Sequence, residues 1–337
     1  MITASAPGKI LLFGEHAVVY DKLGIAAAID KRIGVSAYKG GTAVELQQPF
    51  HFPTLRKTQD EIEELHAQFR LLFEQKQFDK IKELGFHNAI YVLLGEIFSK
   101  HGYSNLIARA HLSHTLKGIG ASASLFSALS AATLKVLGVE ATLKEISDFS
   151  YIGDVVAHGG TPSGIDNSIA TFGGFLSFRK SEGPKPLKLD LNAKIIVIDT
   201  GEKSSTAELV SNVRALREKE PEKVNKIMDE IDSISNEALA KIKNRDIVAL
   251  GNLMDRNHTL LKSLGCGLST ERIEKIVSMA KENGAYGAKL SGAGGGGICI
   301  ALTDNPKKIL NSLKNAGFYC FETNLGAHGV SIDETGF

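Results

Sequence analysis

The amino-acid sequence predicts an α+β fold in two domains. Three observations carry this. Residues 1–40 read as short strands and turns with no helix between them. Two long stretches, 58–100 and from Ser205 to about Glu282, carry helical periodicity. Apolar runs at 195–198 and 298–302 return to strand. Strands and helices come in blocks and do not alternate as they do in a doubly wound α/β protein. A chain of 337 residues suits two domains, at roughly 100–200 residues each. The break falls near 180–205, and we place it to give an N-terminal domain 1–195 and a C-terminal domain 196–337.

The elements follow in order. Residues 10–13, Ile-Leu-Leu-Phe, are a short buried strand that Gly14 ends, and 25–29 and 33–38 each read as strand. Thr58 and Glu61 form a capping box, after which Ile62, Leu65, Phe69 and Leu72 recur at helical spacing. Residues 106–112 are a strand. The small-residue stretch 123–137 is a helix stopped by Gly138. Thr142 with Glu145, and Ser205 with Glu208, open two more helices. The second begins a helical half with breaks near Pro221, near Asn244 and at 265–267.

Charge and cysteines exclude several classes. The 39 Lys and Arg against 38 Asp and Glu give a net charge of +1, so no large field favours nucleic acid or an acidic membrane. The three cysteines, Cys266, Cys299 and Cys320, are too widely spaced for a zinc site or a redox pair. The first residues lack a signal-peptide pattern, and no uncharged run is apolar enough to span a bilayer. A cytoplasmic protein is expected, with no nucleic-acid and no membrane partner.

Three glycine-marked segments interrupt the apolar pattern. The first, 118–124, is Gly-Ile-Gly-Ala-Ser-Ala-Ser before a helix. Gly118 and Gly120 let the backbone approach a ligand, the helix start presents N–H groups to phosphates, and Ser122 and Ser124 add hydroxyls. A plain N-cap with tight helix packing fits the same residues. The second, 291–297, is Ser-Gly-Ala-Gly-Gly-Gly-Gly. It matches a dinucleotide fingerprint formally, but it leads into a strand and not a helix, so that reading fails. A flexible turn between a helix and a strand is the alternative, but Gly294, Gly295 and Gly296 exceed what a turn requires, which points to close approach to a ligand. No P-loop pattern occurs. The third, 158–167, fixes Asp166 among glycines and polar residues as a candidate general base; a turn aspartate is the alternative. Asp154 sits late in the preceding helix, where the dipole disfavours its charge and a cation would offset the cost; taken alone, it reads as a solvated helix carboxylate. Lys9, Glu15 and His16 flank one short strand and can face a common cleft; by themselves they read equally as surface charges.

Together these segments resemble the GHMP family of small-molecule kinases, named for its galactose, homoserine, mevalonate and phosphomevalonate members. Residues 6–20, Ala-Pro-Gly-Lys-Ile-Leu-Leu-Phe-Gly-Glu-His-Ala-Val-Val-Tyr, are similar to the first motif of the mevalonate-specific branch. Galactokinases share Gly14-Glu15-His16 but continue with Thr-Asp-Tyr. Residues 160–167 resemble the segment of the catalytic aspartate, and 289–297 the third motif. Residues 205–216 and Asn257-His258 also resemble that branch. The resemblance covers nearly the whole chain apart from 58–85.

It implies a two-domain phosphotransferase using ATP and Mg²⁺, with the active site in the interdomain cleft. On this resemblance Asp166 is the base facing the substrate hydroxyl, with Lys9 beside it. Ser122 and Asp154 match the metal positions. Gly118, Gly120, Ser124 and Gly294 to Gly296 shape the nucleotide site, and Glu15 and His16 stand at the mevalonate end. The implied reaction is phosphorylation of the 5-hydroxyl of mevalonate. Rivals are a kinase for a phosphorylated mevalonate or another small alcohol, and a non-catalytic ATP and metabolite sensor. A homodimer is expected by analogy, with 58–100 as interface or lid. Two departures stand out: Ala121 replaces the usual serine and His114 the upstream proline, and the metal carboxylate is Asp154 where Glu is usual.

Overall fold

The computed structural model describes residues 1–47, 54–112, 118–160, 162–187, 189, 191 and 193–333. His114 and Thr161 therefore lie outside the described residues. β1 (Ile2–Phe13) and β2 (Gly24–Lys39) pair antiparallel along their lengths. The sequence shows only the apolar end of β1, because its first half is small residues such as Ala4, Ser5 and Ala6 that carry no alternation yet are buried. The two strand segments expected at 25–29 and 33–38 are one continuous strand. Register shifts between Pro7 and Gly8, opposite Asp30 and Lys31. This irregularity decides which way β1 points its side chains. Before it, Ala4 and Ala6 pack in the helical core. After it, Ile10 and Leu12 pack toward the second sheet. The even positions change sides, and Lys9 emerges toward the helices.

β3 (Val44–Gln47) and β4 (Leu55–Lys57) form the far edge of the first sheet. Then come α1 (Gln59–Glu74), α2 (Phe78–Glu83) and α3 (Gly85–His101), as the periodicity of 58–100 requires. β5 (Leu106–Leu112) lies between β2 and β3. α4 (Ala121–Leu137), α5 (Leu143–His158) and α6 (Ile165–Phe172) follow. Of the three expected capping boxes, those at Thr58 and Thr142 are formed, while at Ser205 the side chain accepts from the Glu208 amide without the reciprocal bond. α4 is buried almost all round, which explains its Ala and Ser content: Ser127 bonds Ser150 at 3.0 Å and Thr171 at 3.1 Å. β6 (Phe175–Arg179) and β7 (Gly183–Leu187) extend the sheet from β2.

β8 (Lys194–Asp199) opens the second sheet. The helices α7 (Thr206–Lys219), α8 (Pro221–Lys243), α9 (Ile247–Ser263) and α10 (Glu271–Glu282) break where Pro221, Asn244 and the glycines 265 and 267 predict. β9 (Gly287–Ser291), β10 (Ile298–Thr303), α11 (Pro306–Asn315) and β11 (Cys320–Asn324) complete an antiparallel sheet of order β11-β8-β10-β9. β12 (Ser331–Asp333) returns to pair with β1. One apolar core, including Ile10, Leu12, Val197, Met254 and Ile300, joins the two sheets. No helix among the described residues is long and apolar enough to cross a membrane.

The helical insert is tied down by charge as well as by apolar packing. Glu96 on α3 is buried and receives His66 Nε2 at 2.8 Å, with Lys100 at 3.2 Å and Arg70 at 3.8 Å. The His66 bond, helped by Lys100 and Arg70, holds the Glu96 carboxyl down at about 2 against an ordinary 4.5. A depressed carboxylate contributes stability that is complete above its unfolded pKa and lost as pH falls through the folded one. Glu96→Gln is therefore expected to lower stability at pH 7 by at most about 3 kcal/mol, less the screening of half-exposed Arg70 and Lys100. Thermal melts should show the deficit shrinking between pH 4.5 and pH 2. A deficit independent of pH would mean that the charge of Glu96 is not its source.

Candidate active site

β1 delivers the first charged group. The Lys9 amide donates to the Ile119 carbonyl at 2.7 Å, which stitches β1 to the first glycine loop. Its ammonium lies 3.0 Å from Asp166 Oδ1. Gly120 packs against the lysine stem. A Cβ there would stand 2.7 Å from Lys9 Cγ, and its φ of +73° also suits glycine. Gly120 is thus required by Lys9 as much as by the turn into α4. Gly118 places the start of the same loop beside Ile298 of β10, 3.5 Å from a notional Cβ. Asp166 stands in the first turn of α6, where the helix dipole favours a carboxylate.

Asp154 lies one turn before the end of α5, 2% exposed, and its Oδ1 has no hydrogen-bond partner. Burial raises its pKa well above the carboxylate range, the charge of Asp166 adds to the rise, and Lys9 opposes it. The three groups therefore share one electrostatic site. His158 Nε2 is 4.0 Å from that oxygen, too far to satisfy it. A buried carboxylate with an open oxygen beside a second carboxylate is costly, and a cation would offset the cost. Among the described residues no three His, Cys, Asp or Glu side chains form a metal cage. Mg²⁺ needs none, since it is held by one or two carboxylates together with substrate phosphates and water. The open oxygen of Asp154 fits such an ion, and Ser122 stands half-buried in the first turn of α4.

Ser124 is placed differently from Ser122. It is fully buried and donates to the Pro7 carbonyl at 2.7 Å and the Gly120 carbonyl at 3.1 Å. It braces the loop against β1 and has no surface for a ligand.

The third glycine loop links β9 to β10, so it lies between two strands where the sequence suggests a helix before it and a strand after it. Its glycines serve mainly the chain itself. A Cβ at Gly294 would overlap the Leu268 carbonyl, and one at Gly296 would stand 2.6 Å from the Glu202 carbonyl. The Gly295 and Gly297 amides donate to those two carbonyls at 2.8 and 3.1 Å.

Glu15 and His16 belong to a second group. Glu15 is buried, with one oxygen on the Lys289 ammonium and the other receiving Asn257 Nδ2 at 3.1 Å. His16 Nε2 donates to the Ala293 carbonyl at 2.8 Å, and burial lowers its pKa despite that bond and Glu15. His258 Nε2 donates to Glu274 at 3.1 Å, and burial lowers its pKa too. The structure thus gathers Lys9, Gly120, Asp154 and Asp166 in one place, with Ser122 in the helical turn that follows Gly120. It seats Glu15 and His16 against the third loop with Lys289, a residue not singled out from the sequence. Lys289 lies in β9, whose five residues are all buried, and no local pattern in the sequence marks that strand.

Similarity to known proteins agrees with this geometry. The family described as GHMP kinases C terminal matches residues 237–319. A mevalonate kinase of Thermococcus onnurineus is 33% identical over 99% of this chain and 98% of its own length. The crystal structure of the Methanococcus jannaschii mevalonate kinase superposes with a TM-score of 0.82 at 27% identity, over 96% of this chain and 98% of that one. The L. major mevalonate kinase, crystallised with R-mevalonate, does so with a TM-score of 0.77 at 27% identity, over 96% of each chain. The chain belongs to the GHMP kinase family as a full-length relative of the mevalonate kinases, with the α+β fold of that family and its phosphotransfer chemistry on a mevalonate-like acceptor.

Proposed function

We propose that the protein transfers the γ-phosphoryl group of ATP to the 5-hydroxyl of mevalonate, giving 5-phosphomevalonate and ADP. The observation that carries the chemistry is the Lys9–Asp166 pair at 3.0 Å beside the open oxygen of buried Asp154. The acceptor rests on full-length similarity to proteins named mevalonate kinase.

In this reading the halves 1–195 and 196–337 wall the cleft. Gly118, Gly120 and the first turn of α4 bind the phosphates with backbone N–H groups. Asp166 accepts a hydrogen bond from the acceptor hydroxyl and aligns it with the γ-phosphorus. As the new O–P bond forms, the bond to the β,γ-bridging oxygen breaks, ADP leaves with that electron pair, and the hydroxyl proton passes to Asp166. Lys9 balances the aspartate and the charge developing on the phosphoryl oxygens. Ser122 and Asp154 would hold Mg²⁺, which supplies charge neutralisation on the phosphates when bound. His16 and the turn that carries it form the acceptor end.

The test is ADP release with ATP and Mg²⁺, comparing mevalonate, 5-phosphomevalonate, galactose, homoserine and no acceptor, with the product identified by mass. Turnover on mevalonate above all others is expected. Turnover on another acceptor alone would discard the substrate and keep the phosphotransfer.

A further inference from the structure

We propose that Lys289 and Asn257 are positioning residues for the transfer reaction: by locking Glu15 they make the Glu15–His16 turn and the third glycine loop one rigid unit. The inference rests on the kinase reading above and names residues that act through others.

Three cross-links join the end of β1 to the strand and loop at 289–293. Ser291 Oγ donates to the Leu11 carbonyl at 2.8 Å. Lys289 pairs with Glu15. His16 Nε2 donates to the Ala293 carbonyl at 2.8 Å. The ion pair is the central one, and both its side chains are wholly inaccessible. The lysine also donates to the Leu290 carbonyl at 2.8 Å. Asn257 reaches Glu15 from α9 because that helix lies hard against β9. A Cβ on Gly287 would overlap the Gly251 backbone, and one on Gly251 would overlap Tyr286.

A buried ion pair is a poor way to gain stability, since apolar residues of equal volume usually serve as well. What it does enforce is one relative placement of two segments. The next residue shows that placement being imposed. His16 is held at φ +60°, a conformation costly for a residue with a Cβ and kept only where its surroundings over-determine it. With both oxygens engaged and no exposed surface, Glu15 does not touch the acceptor; it holds His16 and Ala293 in register.

The test uses Glu15→Gln/Lys289→Met, which removes both charges at nearly constant volume and leaves an amide for Asn257. Hydrogen exchange of the ligand-free variant should quicken in peptides covering 14–20 and 288–298 and stay unchanged in β5. With the acceptor that the wild type uses, kcat per folded molecule should fall about 10- to 100-fold, as a small misalignment of reacting groups does. KM for ATP should stay within about threefold, since the lost interaction is one of alignment. A folded double variant with wild-type exchange and kcat would overturn the proposal and leave the pair a space-filler. If the double variant does not fold, Asn257→Leu decides: locally faster exchange with about tenfold lower kcat supports it, and unchanged values overturn it. Exchange is read without substrate, so a wild type inactive on mevalonate overturns the acceptor assignment while exchange still decides the positioning role.

Discussion

Asp166→Asn is expected to lower kcat by about 10²- to 10⁴-fold, the range that a positioned proton acceptor supplies. Asparagine keeps the shape and one oxygen acceptor but loses the charge and the capacity to take the hydroxyl proton. KM for ATP should move little, because Asp166 is assigned to the acceptor hydroxyl while the phosphates are assigned to the loop at Gly118–Gly120. The fold should tolerate the change. The Lys9–Asp166 pair is 19% and 37% exposed at its two side chains, and pairs of that exposure contribute about 1 kcal/mol or less. Steady-state kinetics together with a thermal melt separate the two effects. A variant that melts like wild type and keeps most of its kcat would remove Asp166 from the proton path and leave it as a counter-ion for Lys9.

Much of this site was legible because its residues break local rules. Asp154 near a helix C-terminus is unfavourable, yet alone it reads as a solvated helix carboxylate, and only the fold shows it buried with an open oxygen. Gly118 and Gly120 before a helix marked the first loop, and Lys9 with Asp166 followed from their motifs. Other parts were hidden for physical reasons. The direction of Lys9 depends on a register shift at Pro7–Gly8 that no alternation pattern reveals. The four glycines at 294–297 looked like room for a ligand, yet Gly294 and Gly296 make room for the Leu268 and Glu202 carbonyls, which come from distant segments. Nothing local sets Lys289 apart until its partner, 274 positions earlier, is brought beside it. The fold followed the same division. Helices opened by capping boxes at Thr58 and Thr142 were visible locally. β9, β11 and β12 are strands only because a neighbour pairs with them.

Asp154→Asn is expected to trade stability against activity, and the sign of each change follows from the same buried oxygen. Burial, together with the charge of Asp166, raises the Asp154 pKa in the folded chain. A raised carboxylate binds its proton more tightly folded than unfolded, so its ionisation costs stability as pH climbs above the unfolded value, near 4. In metal-free buffer the variant should therefore melt higher than wild type at pH 8, by about 2–4 °C for each kcal/mol relieved, and alike at pH 4. Activity should move the other way. A metal-held charge on the phosphates supplies several kcal/mol in such transfers, and each ~1.4 kcal/mol is tenfold in rate. Loss of this buried carboxylate should thus lower kcat/KM by about 10²-fold or more and raise the Mg²⁺ concentration needed for half-maximal rate. ATP with Mg²⁺ should stabilise wild type more than the variant, because only wild type has an unpaired buried charge for the ion to neutralise. A variant that is less stable at pH 8 would show that Asp154 has a partner after all, and one with an unchanged Mg²⁺ requirement would place the ion elsewhere in the cleft.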